Sequence, residues 1–563
     1  MSRKAGRMIR IALTGILFLL LFFGSASAAG GVTITAACPS LCGEKVITRE
    51  GKDGLVLSLP GFWDLSKIVL KTEEAGCLYL GPEKTEIPLG KETDLNGLVG
   101  QRFRIRNEKQ AEMGYLTVLQ GSQITALFLE VDADELKKVN RSKENEITEG
   151  RAVCFEADGT TAYNGALSQL KGRGNNTFGY TKKPYQLKLG EKASLSGMSR
   201  GKTWILLANK ADVSLLRNQI VLDMSREIGL RYAVQCAQAD VWINGAYNGL
   251  YLLTEKIQIG KERIDITNLE KATEKENPSP FAPGRIITEK SAAYPLMRSY
   301  PDVKDPEDIT GGYIMTIEKP ARMKDYVLAG FRTKKELNIR IKEPTYPSRG
   351  QAEYLFKRIT EMQRAVMAKD GIDPETGKSY EEYLDPESFA RKFLIEEWCK
   401  NYDFFGGSQY LYKDSDLVDP LIYAGPSWDY DLSFGNMADR GYSATGRYLT
   451  AYRRNHNLYW LLYNHEAFRE KVGKLWLNVF RPAAAVLLGE KKAGPDGILC
   501  SLDEYRERIR KSAEMNYKRW NVSDAAKGPG SGISFDRAAA YLKNWIAERT
   551  AWMDGQYTPS AAE

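Results

Sequence analysis

The stretch from Asn401 to Asn436, NYDFFGGSQYLYKDSDLVDPLIYAGPSWDYDLSFGN, sets the strongest limit on how this chain folds. It carries Asp403 two residues after an asparagine and, 26 residues further on, Asp429 and Asp431 within WDYDLSFG, closed by Gly435. Between them, QYLYK and PLIYAG read as two short β-strands joined by a polar acidic turn. Strands that turn back bring their flanks to one mouth, so the spacing predicts that Asp403 meets Asp429 and Asp431. Carboxylates gathered in this way repel unless a cation sits among them, and an oxygen-only set suits Mg²⁺ or Mn²⁺. Trp428, Tyr430 and Phe434 surround the second pair with apolar rings, where an unpaired charge is costly. Aspartates also serve as turn and cap residues, and spacing alone leaves that reading open.

The rest of the composition narrows the chemistry. Only His456 and His465 are present, among aromatic and leucine residues, so a Ser/His/Asp triad or a multi-histidine zinc site is hard to build. An enzyme made from this chain runs on carboxylates, lysines, arginines or hydroxyls. The seven cysteines, Cys38, Cys42, Cys77, Cys154, Cys236, Cys399 and Cys500, are odd in number and widely spread, which is no disulfide framework. They read mostly as buried thiols, with Cys38 and Cys42 close enough to bridge or to hold a metal weakly.

The first residues read as a secretory signal peptide over 1–28. Arg3, Lys4, Arg7 and Arg10 precede a 13-residue apolar run, Ile11 to Phe23, and a small-residue site at Ala26-Ser27-Ala28. That run is shorter than the roughly 20 residues of a spanning helix, so no stable membrane span and a secreted or cell-surface location are expected. Without this leader the net charge of +7 falls to about +3, too mild to argue for a nucleic-acid partner.

Residues 29–122 alternate short apolar runs, such as Leu55 to Leu59 and Tyr115 to Leu119, with polar turns, which predicts a small all-β domain of the sandwich type. Residues 123–556 then form the main body, opened by the strand ITALFLEV. In LKGRGNNTFGYTKKPYQLKL, Gly172, Gly174 and Gly179 bracket Arg173, Asn175, Asn176 and Thr177. Such a loop lets backbone N–H groups approach a phosphate while Arg173 holds its charge, although an ordinary hairpin loop has the same composition. Lys188, 14 residues past Gly174 on the following strand, stands near the step from a kinase glycine loop to its strand lysine. Asp212 reads as the cap of a helix that Gly229 stops. Asn244-Gly245 marks a hairpin whose second strand ends at Glu255, which is either a solvent charge or a ligand. Residues 273–310 hold six prolines and mixed charges and read as an insertion or lid. The pattern turns helical from Gln351, the second helix delivers Asn401 and Asp403, and the last helix is capped by Ser534 with Ile533 as its staple.

Five blocks in order, KGRGNNTFGYTKKPYQLKL, SLSGMSRGKTWILLANKADVSLLRN, VWINGAYNGLYLLTEKI, GGYIMTIEK and WDYDLSFGN, resemble the spore coat protein H (CotH) kinase family over about residues 125 to 555. The resemblance implies an α+β, atypical protein-kinase-like, two-lobed body that binds ATP with Mg or Mn and phosphorylates serine or threonine of secreted or coat proteins. It implies Asp403 as the catalytic aspartate that deprotonates the acceptor hydroxyl. It implies Asp429 as the metal ligand, with Asp431 a second ligand or orienting group, and Arg173, Gly174, Asn175, Lys188 and Glu255 on the nucleotide side. Protein kinases place a metal-binding asparagine five residues after the catalytic aspartate; here Ser408 and then Gln409 stand there, each able to offer an oxygen.

Two other readings fit parts of the pattern. One is a surface or coat assembly protein that keeps the fold without catalysis, with the β domain touching carbohydrate or cell wall. The other is a carboxylate-pair glycosidase, which leaves the glycine loop without a use.

Overall fold

The structure is a computed structural model that describes residues 32–39, 43–72, 76–80, 85–87, 89–107, 109–325, 327–437, 442–522 and 534–557. The expected signal peptide, Cys42 and Ile533 lie outside these residues, as does the side chain of Cys77. The chain divides into two compact units, Met1–Gln120 with Gly245–Tyr247, and Gly121–Asn244 with Asn248–Glu563. Among the described residues, no helix is long and apolar enough to cross a membrane.

The first unit is built of strands in two sheets. One pairs Lys45–Ile47, Ile34–Ala37, Ile68–Thr72 and Glu92–Thr93 in that order, all antiparallel. The other has six strands and pairs Gly54–Leu59 in parallel with Glu112–Gln120. The period of two sends Phe103, Ile105, Leu116 and Val118 inward and leaves Arg102, Arg104 and Arg106 on the opposite face.

In the second unit, seven strands close into a barrel. Their order is Gly201–Leu207, Tyr185–Ala193, Thr161–Gly172, Gly150–Phe155, Thr125–Val131, Cys236–Ile243 and Ala246–Glu255, and the last pairs back to the first. Alternation fills the interior with Leu127, Cys154, Leu167, Leu187, Trp204, Leu206, Val241 and Leu253. Asn244 and Gly245 both take positive φ, 52° and 77°, which is the two-residue turn that the hairpin needs.

A second, seven-stranded antiparallel sheet runs Ile287–Glu289, Leu296–Ser299, Gly330–Arg332, Asn338–Glu343, Tyr313–Ile317, Gln409–Lys413 and Ile422–Ala424. Residues 273–310 are therefore not merely a lid. Leu296–Ser299 alternates cleanly enough to join the sheet, and Met297 is fully buried in its core. The helices Arg349–Met367, Pro386–Cys399, Leu502–Arg519 and Phe535–Tyr557 share one large core with this sheet.

One helix begins later than its sequence pattern predicts. It spans Arg217–Glu227, and Asp212, five residues before it, ties the approach by accepting from Ser214 N and Arg217 N, both at 2.9 Å. Asp212 and Arg217 form a buried ion pair, so the turn before the helix is fixed by charge rather than by a simple cap.

Candidate active site

Asp403 follows the Pro386–Cys399 helix, which ends on Lys400 in the left-handed conformation, φ 46°. The chain then makes a single 3₁₀ turn, Tyr402–Phe405, capped by Asn401, whose Oδ1 accepts from Asp403 N at 3.1 Å. The Gln409–Lys413 and Ile422–Ala424 hairpin carries the chain out and back, with Tyr412 opposite Tyr423. Its return ends in the loop of Trp428 to Asn436. One carboxylate oxygen each from Asp403, Asp429 and Asp431 then lie within 4.8 Å of one another.

The loop is held by its peptide groups. Asn401 Nδ2 donates to Asp429 O at 3.1 Å, and Asn218 Oδ1 accepts from Tyr430 N at 2.7 Å, so one peptide bond is gripped at both ends from two helices' termini. Asn436 Nδ2 donates to Asp431 O at 2.7 Å, and Arg217 Nε donates to Ser433 O at 3.0 Å. Beneath the loop, the buried Tyr430 hydroxyl donates to Glu396 Oε1 at 2.7 Å and takes a bond from Lys392. Asp429 itself has φ 73°, a conformation costly for a residue with a side chain, and this grip holds it there.

The electrostatics follow from burial and like charge. Burial first, and then the Asp429 charge, pushes Asp403 up to about 7, against the pull of Lys319 and Arg322. Burial also raises Asp429, opposed by the Ser408 hydrogen bond, Arg173 and Arg322. Asp431 is raised well above the usual carboxylate range by burial and then by Asp429, Asp403 and Asp212. No ion pair reaches Asp431 among the described residues. Three crowded carboxylates short of cations are a donor set that fits a hard divalent ion.

The glycine loop overlies this cluster. Arg173 stacks its guanidinium 5.1 Å from the Trp428 ring, and Asp429 and Tyr410 oppose the downward pull of burial on its pKa. Tyr180, at the loop's far end, is raised by burial and then by Asp431 and Asp403. Gly174 has φ 88°, and a Cβ there would stand 2.2 Å from Thr177 Oγ1. Asn175 is exposed on the loop.

The remaining candidates divide between the cluster and other parts of the fold. Ser408 belongs to the cluster, its hydroxyl donating to Asp429 Oδ2 at 3.2 Å. Gln409 turns its amide nitrogen to Phe404 O, so it braces the Asp403 turn instead of facing the acids. Lys188 is exposed. The strand period sets it opposite the interior Leu187 and Leu189, and the strand has already run about 10 Å from the loop. Glu255 is neither a solvent charge nor a member of the acid cluster. It pairs with Arg263 at 2.7 Å and accepts from Gln235 N at 3.1 Å, at the edge of a cavity of about 300 Å³ that Pro426 also lines. Asn218, Asn436, Glu318 and Arg322 are site residues that the motifs did not reveal.

The CotH kinase protein family matches residues 170–553, a span that contains the glycine loop and all three aspartates. The chain belongs to the CotH kinase family. No curated protein matches it. Membership in the CotH family carries a kinase-like role in general terms, with nucleotide and divalent metal as the usual requirements, and the acid cluster is where this chain could hold the ion.

Proposed function

We propose that this chain is a secreted, divalent-metal-dependent phosphotransferase that moves the γ-phosphate of ATP to serine or threonine hydroxyls of extracellular or coat proteins. The observation that carries this reading is the meeting of Asp403, Asp429 and Asp431 beneath Arg173 of a glycine loop. A two-part body, with the barrel bearing the loop and the second sheet bearing the hairpin, supports it as well. The basic and apolar leader supports the location.

In this reading Asp429 and Asp431 hold Mg²⁺ or Mn²⁺, with Ser408 fixing the Asp429 carboxylate. The ion supplies charge neutralisation on the phosphates. Asp403 accepts the proton of the acceptor hydroxyl and orients its oxygen toward phosphorus. Arg173 binds phosphate oxygens at the loop, its guanidinium kept in place by Trp428. Positioning and charge account for most of the rate in such a transfer.

The test is transfer of labelled γ-phosphate by the purified chain, with Mn²⁺, to a serine-rich acceptor or to itself. Asp403→Asn is expected to abolish transfer while keeping Mn²⁺ binding, and Asp429→Asn to abolish both. Equal labelling by wild type and both variants overturns the assignment.

A further inference from the structure

The mechanism above leaves unused a basic side chain, Arg322, whose charge acts on two of the three acids. Glu318 follows the Tyr313–Ile317 strand, where Ile317 lies opposite Gln409, so Glu318 comes alongside Ser408. Its carboxylate is buried and held at both oxygens: Thr316 Oγ1 donates to Oε1 at 2.8 Å and Arg322 Nη1 to Oε2 at 2.9 Å. Arg322 then lies against the α-carbon of Gly407. A Cβ at 407 would stand 2.6 Å from Arg322 Nη1 and 2.9 Å from Glu318 Oε2, so only glycine admits the pair here. The next residue is Ser408, which bonds Asp429. The Arg322 charge acts on both Asp403 and Asp429 and partly offsets the effect of their burial.

We propose that Arg322 is a catalytic residue of this site that binds the transferring phosphoryl group between Asp403 and Asp429, and that Glu318 is its positioning residue. The proposal rests on the phosphotransferase reading. In the step it serves, the acceptor oxygen forms a bond to the γ-phosphorus and the bond from that phosphorus to the β,γ-bridging oxygen breaks. The electron pair leaves with ADP, and the hydroxyl proton passes to Asp403. Negative charge gathers on the oxygens of the group in flight, and an arginine that is oriented beforehand costs no reorganisation at that moment. Glu318 supplies the orientation, since its own two oxygens are fixed by Thr316 and Arg322.

The experiment measures steady-state transfer and Mn²⁺ binding by electron paramagnetic resonance on the full chain, for wild type, Arg322→Ala, Arg322→Lys and Glu318→Gln. Arg322→Ala is expected to lower kcat by about 100-fold with KM for ATP changed by less than about threefold. Mn²⁺ binding should be equal or tighter, because a positive charge has left the neighbourhood of the acids. Guanidinium ion in the buffer should restore part of the lost rate, Arg322→Lys should keep more than Arg322→Ala, and Glu318→Gln should lower kcat by about tenfold with Mn²⁺ binding intact. Arg322→Ala transferring at nearly the wild-type rate overturns the proposal, and so does loss of Mn²⁺ binding in step with transfer. A wild-type chain that neither holds Mn²⁺ nor transfers phosphate overturns the phosphotransferase reading itself, a result distinct from both.

Discussion

Asn401 Nδ2 donates to the carbonyl oxygen of Asp429 across 28 residues of chain, at 3.1 Å, while Oδ1 of the same amide accepts from Asp403 N at 3.1 Å. One side chain therefore sets the separation of Asp403 and Asp429. From the other side, Asn218 accepts from Tyr430 N at 2.7 Å and donates to Asn209 Oδ1 at 3.0 Å. Loss of a buried amide with two such bonds leaves both partners unsatisfied, at about 1–3 kcal/mol each. Asn401→Ala is expected to weaken Mn²⁺ binding by roughly 10- to 100-fold, more than its effect on the denaturation midpoint accounts for. Titration of Mn²⁺ on wild type and variant checks this, and unchanged affinity in the variant refutes it.

The three acids also predict how stability of the metal-free chain depends on pH. Asp403 is pushed from its ordinary 3.8 to about 7, and Asp429 and Asp431 are raised as well, so the folded chain binds more protons than the unfolded one. The Asp403 contribution is fully present below about pH 4 and is lost as pH rises through about 7, and those of Asp429 and Asp431 are lost in the same direction, with rising pH. A divalent ion replaces those protons, so the rise in Tm on adding Mn²⁺ should grow across that window. Thermal melts at several pH values, with and without Mn²⁺, check it. Asp431→Asn should flatten both trends. A metal-induced shift that is constant with pH contradicts the prediction.

The helix that delivers Asp403 is tied to the last helix by a buried ion pair. Arg549 Nη2 stands 3.0 Å from Glu397 Oε1, both fully buried, and Arg549 Nη1 donates to Ala444 O and Gly446 O at 2.9 and 2.8 Å. The Glu397 carboxylate also accepts from Tyr448 N and Leu449 N, and the Tyr448 hydroxyl donates to Asn401 O. Removing the arginine leaves a buried carboxylate without its counter-charge, which costs about 3–5 kcal/mol. Arg549→Ala should lower the urea midpoint accordingly with little change in m, and adding Glu397→Gln to it should recover part of the loss. An Arg549→Ala chain as stable as wild type contradicts this.

Much of the site could be read from the sequence because it depends on local pattern. The hairpin between Asp403 and Asp429 announces itself by two short apolar runs about a polar turn, and chain reversal then brings the acids together. The glycines around Arg173 mark the loop in the same way. What stayed hidden depends on partners distant in sequence. Barrel closure needs Thr125–Val131 to pair in parallel with Cys236–Ile243, a contact that no local periodicity encodes. Asn218 and Asn436 look like any polar residue in a helix or a turn until Tyr430 N and Asp431 O are set against them. The prolines of residues 273–310 masked a strand whose partner, Gly330–Arg332, lies beyond the segment. Lys188 is exposed on the face that the strand's alternation gives it, opposite Leu187 and Leu189.

Arg173 and Lys188 separate these two kinds of inference in one experiment. Both are basic and both belong to the glycine-loop hairpin, yet Arg173 stacks on Trp428 beside Asp429, whereas Lys188 points outward from the barrel opposite Leu187. A charge-assisted contact to phosphate contributes about 1.5–3 kcal/mol, so Arg173→Ala should lower kcat/KM for ATP by roughly 10- to 100-fold. Lys188→Ala removes an exposed side chain and should leave kcat/KM within about twofold of wild type and stability within about 0.5 kcal/mol. Transfer kinetics and urea melts on the two variants check the pair. A large loss of rate in Lys188→Ala alone would return the lysine to the nucleotide and displace Arg173 from it.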